Sequence, residues 1–561
     1  MARVPKARGR WGSVLMGGGV GWIGGGGVAW MPTRSLAWTL QRWNGSAVSA
    51  MAGQASALTL RPRTLASPSV ASASGRWSRR PPHQPRGVSM PVHLPEGLMV
   101  SVSGFRGRVG NPLTPELLAS LAAGFGGFLR SEGSGSVVYL GRDSRTSGAM
   151  FADAARAGLV SVGCRVVELG VVPTPTLLLA ARGAGAAGAL GVTASHNPAE
   201  WNALKFGGGD GLFLDADRMA RFQAYLAREE LPRASWDRLG STSLDSTAVD
   251  RHVQAILELP FVDVEALRRR AFHVALDCVH GAGGRMVPQL LAELGCRVSG
   301  MGLEADGRFP RDPEPTAKNL AGLGELVRTS GAEVGFAVDP DVDRLSLVNG
   351  AGEAVGEDLT LALCAEVVLG REWARGPVVT NLSTSQVVED VARAAGVPCL
   401  RAPVGEVNVA RKMQSERAVV GGEGNGGIIL PRLHFTRDAP LGIALILQHL
   451  MESGRSLAEA VDRWPRYAIV KEKAPFPRER IADGYAALLT QLAPAADTSS
   501  GAVEVDHTDG VRLAWPERRQ WLHVRPSGTE PVVRFIAEAP TAEAAAELVA
   551  RGRDIMTAAG S

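Results

Sequence analysis

Four short stretches of this chain hold side chains whose types and spacing suit chemistry. Asp339-Pro340-Asp341-Val342-Asp343-Arg344 places three carboxylates at alternate positions. Like charges this close repel, and folding them together is costly unless a cation compensates. Hard oxygen ligands suit Mg2+, which keeps open positions for water or a phosphate oxygen. An EF-hand is excluded, because its Gly and distal Glu do not follow in register. The other reading is an acidic surface turn built around Pro340. Arg525-Pro526-Ser527-Gly528-Thr529-Glu530-Pro531, with Arg534, offers hydroxyls, backbone N–H groups and a guanidinium fork. That set matches a phosphate dianion, or makes an ordinary Pro-Ser-Gly turn. Gly422-Glu423-Gly424-Asn425-Gly426-Gly427 lets backbone approach a ligand, with Glu423 and Asn425 suited to vicinal hydroxyls. A flexible loop would read the same way. In Thr193-Ala194-Ser195-His196-Asn197-Pro198, Ser195 needs a base or a metal to become a nucleophile. His196 is its neighbour in sequence, but adjacent side chains often point apart. A capped turn explains the same six residues.

The elements that must position these residues alternate between strand and helix. Apolar strands are expected at Val137–Leu140, Arg165–Leu169 and Leu190–Val192, then at His273–Asp277, Cys296–Ser299 and Glu333–Val338. A third round runs through Val378–Thr380, Pro398–Leu400 and Ala418–Val420. Helices fill the gaps, including one ending near Val162 and one over Arg285–Leu294. This pattern predicts parallel or mixed sheets covered on both faces. Each motif of the first three falls just past the C-terminal end of a strand, where open α/β sheets bind ligands. The last hundred residues read as a smaller α+β unit, with strands at Glu504–Asp506, Val511–Ala514 and Val532–Ala537 and a closing helix at Ala542–Gly552. Linkers are expected near Ser241–Asp250, Ala351–Glu357 and Trp464–Ala474.

Composition bounds the partners. The 561 residues include 60 Lys+Arg and 56 Asp+Glu, a net charge of +4. That figure hides an asymmetry: residues 1–95 hold 12 of the basic residues and no Asp or Glu, leaving a body of net charge −8. An acidic body gives no electrostatic reason to expect nucleic acid. The five cysteines are odd in number and contain no CxxC, which argues against a disulfide framework or zinc site and for a reducing compartment. Val14–Met31 follows an Arg-rich start, as a secretory signal would, but eight of its 18 residues are Gly. Glycine costs about 1 kcal/mol per helical position relative to Ala, so a disordered extension, or residues upstream of the true start, is the preferred reading over a signal or transit peptide. No other segment reaches the roughly 20 apolar residues that span a bilayer.

In this order, TASHNP, DPDVDR, GEGNGG and RPSGTEP resemble the motifs of the α-D-phosphohexomutase family, over about residues 98–555. Ser103-Gly104-Phe105-Arg106-Gly107 is similar to the family's opening loop. The resemblance implies three similar mixed-sheet α/β domains plus a smaller C-terminal α+β domain around a central cleft. The expected boundaries are 97–248, 249–355, 356–465 and 466–561, after an extension at 1–96. It implies a phosphorylated Ser195 that passes its phosphoryl group to a sugar phosphate. A bisphosphorylated sugar then reorients and returns its other phosphate. One Mg2+ would be held by Asp339, Asp341, Asp343 and the phosphoserine, and a hexose 1,6-bisphosphate would act as activator. His196, Lys205, Arg106 and Arg344 would surround the transferring group, with Lys205 a general acid/base. Glu423 and Asn425 would read sugar hydroxyls. Arg525, Ser527, Gly528, Thr529 and Arg534 would hold the other phosphate. The sugar loop departs from the family's G-E-x-S-G-H, with Asn425 and Gly427 in place of Ser and His. Val404-Gly405-Glu406 is closest to the V-G-D of phosphoglucosamine mutases, which favours glucosamine 6-phosphate over the neutral hexose phosphates of phosphomannomutase/phosphoglucomutases. The partner is then a small sugar phosphate, not nucleic acid or membrane, and the enzyme a cytoplasmic monomer or homodimer. A Ser/metal phosphatase and a non-catalytic sugar-phosphate binder are the readings from other classes.

Overall fold

The computed structural model describes residues 92–102, 104–228, 231–493, 502–527 and 532–560; the N-terminal extension, Ser103, Gly528 and Thr529 lie outside them. Twenty strands form four sheets. The first is built from β1 (Met99–Ser101), β2 (Gly104–Arg108), β3 (Val137–Arg142), β4 (Arg165–Val171), β5 (Gly188–Val192), β6 (Trp201–Gly208) and β7 (Thr242–Leu244), in the order β1-β2-β6-β5-β3-β4-β7. The second has β8 (His273–Asp277), β9 (Arg297–Met301), β10 (Val334–Val338) and β11 (Leu345–Asn349), ordered β11-β10-β8-β9. The third has β12 (Val378–Asn381), β13 (Cys399–Ala402), β14 (Val420–Glu423) and β15 (Gly427–Ile429), ordered β13-β12-β14-β15. The fourth has β16 (Ala468–Pro475), β17 (Glu504–Asp506), β18 (Val511–Trp515), β19 (Gln520–Pro526) and β20 (Val532–Ala539), ordered β16-β20-β19-β18-β17.

The first three sheets are mixed: the first has three antiparallel pairs on the β1 side and three parallel pairs on the β7 side, and the second and third each have two parallel pairs and one antiparallel pair at an edge. The fourth is wholly antiparallel. Two expected linkers are structured. Ser241–Asp250 contains β7, which extends the first sheet beside β4, and the first turn of the helix Ala248–Leu257. Trp464–Ala474 contains most of β16, an edge strand whose half-exposed, charged residues hide its pairing in the sequence.

One buried apolar cluster runs from Tyr139 in the first sheet, through the second, to Val461 after the third. Its spine is the helix Ala439–Ser453, whose residues from Ala439 to Leu450 are all buried. A helix apolar all round belongs inside a core. The fourth sheet has its own core against the helices Ile481–Leu492 and Ala542–Gly560. All five cysteines are unpaired. No helix among the described residues is long and apolar enough to cross a membrane.

Candidate active site

The site begins at strand ends. β5 is buried at every residue and runs into Thr193 and Ser195. Ser195 takes a left-handed backbone, φ 49°. Such a conformation costs a non-glycine residue of order 1–3 kcal/mol and persists only when the surroundings impose it. Arg145 imposes it. This arginine is 1% exposed, and its guanidinium donates to the backbone oxygens of Ser195 and Asn197, both at 2.6 Å, and of Pro198 and Trp201 at 2.6 and 3.0 Å. Asp143 holds Arg145 through Nε at 3.0 Å and accepts from the Thr193 hydroxyl at 2.7 Å. Thr193 Oγ1 in turn accepts from the Ser195 N–H at 2.9 Å.

The Ser195 hydroxyl points at the carboxylates. It donates to Asp339 Oδ2 at 2.7 Å. It also lies 3.3 Å from His196 Nδ1, so these neighbours do approach each other. Asp339, Asp341 and Asp343 occupy the hairpin between β10 and β11, each 0% exposed, with one oxygen from each within 4.8 Å of the others. Val342 shapes the hairpin. It is a β-branched residue at φ 64°, a genuine outlier, and its side chain is fully buried in the core. That anchor fixes the loop between the flanking carboxylates Asp341 and Asp343.

Asp341 accepts from Lys205 Nζ and from the Thr174 hydroxyl, both at 2.8 Å. Burial works to raise its pKa, but the Lys205 charge and hydrogen bond win and hold it below the usual range. Asp339 is pushed well above that range by burial and by the charges of Asp343 and Asp341. The residues fit a divalent cation: Asp341 Oδ1 and Asp343 Oδ1 are buried oxygens with no hydrogen-bond partner. A hard cation relieves both the orphaned oxygens and the mutual repulsion.

Arg106 sits on β2, where its neighbour Phe105 is fully buried edge-on to Phe206 and Phe222. The alternation of the strand turns Arg106 the other way, where it donates to Asn197 Oδ1. Lys205 alternates in the same manner with Leu204 and Phe206 on β6. Arg344 donates to Glu314 at 3.1 Å. Burial, with the guanidinium groups of Arg344 and Arg106, pushes His196 well below its ordinary pKa, so it is neutral at pH 7.

The sugar-loop candidates join the same network. β14 ends at Glu423, further along than expected. Glu423 accepts from Asn381 Nδ2 at 2.8 Å, from the Gly405 N–H at 3.1 Å and from Asn425 Nδ2 at 3.3 Å. Its other partner is Arg437, whose Nη1 donates at 2.8 Å. Arg437 also donates through Nη2 to Asp343, and its backbone N–H donates to Glu406 at 2.9 Å. One buried guanidinium therefore ties the carboxylate hairpin to the sugar loop. Burial works to lower its pKa, but Asp343, Glu406 and Glu423 together hold it well above the ordinary value. Gly427 makes room for it: a Cβ there would stand 2.2 Å from Arg437 Cδ.

The phosphate-loop candidates are described only in part. Arg525 lies on β19 opposite Arg534 of β20. Arg525 Nε pairs with Asp509 at 2.8 Å, Arg534 is exposed, and Ser527 is 3% exposed. Asp509 also accepts from the Val404 N–H at 3.0 Å, joining this loop to the third domain.

Sequence reasoning missed Arg145 and Arg437. Arg145 had a signal, a charged pair with Asp143 directly after an apolar strand. Arg437 had none, because its three carboxylate partners lie 14, 31 and 94 residues away.

Four consecutive mixed or antiparallel α/β domains, with motif loops at their strand ends, define the class, and comparison with known proteins gives the family. The chain matches the phosphoglucomutase/phosphomannomutase models for α/β/α domain I at residues 98–233, domain II at 250–352, domain III at 356–467 and the C-terminal domain at 470–555. It belongs to the phosphoglucomutase/phosphomannomutase family, and so to the phosphohexomutase enzymes. A probable phosphoglucosamine mutase of Methanopyrus kandleri is 37% identical over 81% of this chain and 96% of its own. A phosphoglucomutase/phosphomannomutase of Thermococcus kodakarensis is 35% identical over 81% of this chain and 98% of its own. The crystal structure of a phosphoglucomutase/phosphomannomutase family protein from Burkholderia thailandensis aligns with a TM-score of 0.69 at 26% identity, over 82% of this chain and 98% of that one.

Proposed function

We propose that the protein converts glucosamine 6-phosphate to glucosamine 1-phosphate through a phosphorylated Ser195 and a bisphosphorylated sugar. The observation that carries this reading is the 2.7 Å contact between the Ser195 hydroxyl and a hairpin of three buried carboxylates. In the first half-reaction the sugar hydroxyl attacks the phosphorus, the bond to Ser195 Oγ breaks, and the hydroxyl proton leaves to a nearby base. The second half returns the other phosphate to Ser195, with the proton going back to the sugar.

Asp339, Asp341 and Asp343 would hold Mg2+, which when bound offsets the charge on the moving phosphoryl group. Lys205, an ammonium paired with Asp341 at rest, is the candidate general acid/base. Neutral His196 flanks Ser195 Oγ, and Arg106 and Arg344 add positive charge around the transferring oxygens. Glu423 and Asn425 would bind sugar hydroxyls or the 2-amino group. Arg525, Ser527, Gly528, Thr529 and Arg534 would grip the phosphate that is not reacting, in either orientation of the bisphosphate.

The amino sugar is favoured by Val404-Gly405-Glu406, which resembles the V-G-D of phosphoglucosamine mutases, and by the relatives that bear the probable phosphoglucosamine mutase name. A neutral hexose phosphate is the second reading, supported by the relative that bears the phosphoglucomutase/phosphomannomutase name. The test is kcat/KM on glucosamine 6-phosphate, mannose 1-phosphate and glucose 1-phosphate, with Mg2+ and a trace of hexose 1,6-bisphosphate. A ten-fold preference for the amino sugar, about 1.4 kcal/mol of transition-state binding, is expected. Preference for a neutral hexose would reject the substrate and leave the mechanism. Turnover by Ser195→Ala near the parent rate would reject the mechanism.

A further inference from the structure

The fourth sheet turns an unusual face toward the third domain. Its other face is apolar and covered by its own helices. The face at the seam carries Arg512, Trp521, His523 and Glu538, all buried. Every polar side chain on this face but one makes a hydrogen bond, Glu538 through Oε2 alone. His523 Nδ1 lies 2.9 Å from the Ser383 hydroxyl, Glu538 accepts from the Gln386 N–H at 2.9 Å and Trp521 Nε1 at 2.6 Å, and Arg519 donates to Asp390 at 2.6 Å.

Arg512 is the exception. It is 8% exposed, and its guanidinium has no hydrogen bond or ion pair among the described residues. Its close contact is the Trp521 ring, 5.2 Å away. The carboxylates around it each have other partners: Glu389 has Arg401 Nε at 2.7 Å, Glu538 has the Gln386 N–H and Trp521 Nε1, and Asp506 has the N–H and hydroxyl of Thr508 at 2.8 and 2.6 Å. Burial and the neighbouring Arg401 push the Arg512 pKa down to about 9, the mark of a charge without adequate compensation. A buried, unpaired cation is expensive.

Arg512 lines a cavity of about 180 Å³ at this seam, together with Gln386, Arg393, Arg519 and Gln520. Glu389 and Glu504 also reach it; Arg393 and Arg519 both pair with Asp390, which leaves Arg512 as the lining guanidinium without a carboxylate partner among the described residues. The cavity is smaller than the roughly 300–1,000 Å³ that organic ligands of drug size occupy. We propose that this seam is an anion site, separate from the Arg525 loop, that takes a compact dianion of the phosphate class on Arg512. Gln386 and Gln520 would supply neutral amide donors. The bound anion would tie the fourth domain to the third, whose cores are otherwise separate. The site stands on Arg512 and its cavity, so its failure leaves the proposed mutase reaction untouched.

The probe is inorganic phosphate, titrated into the full chain in chloride buffer of constant ionic strength. An Arg525→Ala background weakens the catalytic phosphate loop. Binding is read by calorimetry and by the thermal unfolding midpoint. The background protein should show a saturable rise of several degrees. Adding Arg512→Gln, or Gln520→Glu, should remove most of that rise. In phosphate-free buffer Arg512→Gln should unfold no lower than its parent, because it deletes an unpaired buried charge. Gln520→Glu keeps Arg512 in place, so the site remains testable should the first variant fold poorly. No rise in the background protein, or a rise of the same size in both variants, would overturn the proposal. So would an equal drop for Arg512→Gln at every phosphate concentration, which would make Arg512 a packing residue.

Discussion

Arg437→Met should destabilise the protein by about 3–5 kcal/mol at pH 8, the usual cost of removing one partner from a buried ion network. The perturbation keeps most of the apolar stem beside Gly427 and deletes the guanidinium. Three carboxylates then lose their shared cation: Asp343, Glu406 and Glu423. Total stabilities of folded domains are about 5–15 kcal/mol, so the variant should still fold at low temperature. The sign of the pH dependence follows from Glu406. Burial, opposed by Arg437, already raises this carboxyl to about 7. Without Arg437 it rises further in the folded state while the unfolded value stays ordinary. A raised folded pKa means that the folded state holds a proton that the unfolded state releases, so acidification favours the folded variant. Each added unit is worth about 1.4 kcal/mol, and that part of the deficit should disappear between pH 8 and pH 6. The assay is denaturant unfolding of parent and variant in EDTA at both pH values, following the transition of the core shared by the first three domains. Arg437→Lys should fall between them, since an ammonium cannot fork between three carboxylates. A loss under about 1 kcal/mol, or a deficit that widens on acidification, would refute the view that this guanidinium compensates the site.

Three further perturbations isolate other parts. Ser195→Ala should abolish turnover and phosphate incorporation yet bind sugar phosphate within a few-fold of the parent; a variant that still incorporates phosphate would remove Ser195 from its role. Arg145→Lys should lose most of four carbonyl contacts, lowering kcat at least ten-fold and raising proteolytic cleavage at residues 194–201; unchanged kcat would deny it a positioning role. Gly427→His should displace Arg437, because even a Cβ would overlap its side chain, and should cost about 2 kcal/mol or more in stability by the same uncompensated-charge argument; a neutral effect would show that the loop has room.

Much of the fold was legible because its signals are local. β5 and β10 are unbroken apolar runs that end at chemistry-bearing residues, and both were expected within two residues of where they lie. β7 and β16 were read as linkers because β7 is a three-residue, fully exposed Thr-Ser-Leu edge strand and β16 an edge strand with exposed, charged residues, and neither carries a clear apolar alternation. Val342 carries no local sign of its role. Between two aspartates it looks like a bulky spacer, but it is the buried anchor of the hairpin, and only the packed core reveals that. The contact between Ser195 and Asp339 spans 144 residues, so no spacing rule could supply it.

The long-range contacts form one path rather than separate sites. Arg525 pairs with Asp509, and Asp509 holds the Val404 N–H. The next N–H, of Gly405, bonds Glu423, and Glu423 shares Arg437 with Asp343. The path therefore runs from the phosphate loop through the sugar loop to the carboxylate hairpin without leaving charged or hydrogen-bonded groups. In a low-dielectric interior such a path transmits changes of charge more strongly than water would allow. Gly426 fixes the middle of it: its φ of 82° and the 2.2 Å approach of Leu345 O to an added Cβ admit no other residue without strain. The Leu345 N–H donates to Gly426 O at 2.9 Å, so the strand that leaves the hairpin is stitched to the Gly422–Gly427 loop. In the proposed reaction a sugar phosphate that disturbed Glu423 would therefore act on Asp343 through one guanidinium, because the two loops share Arg437.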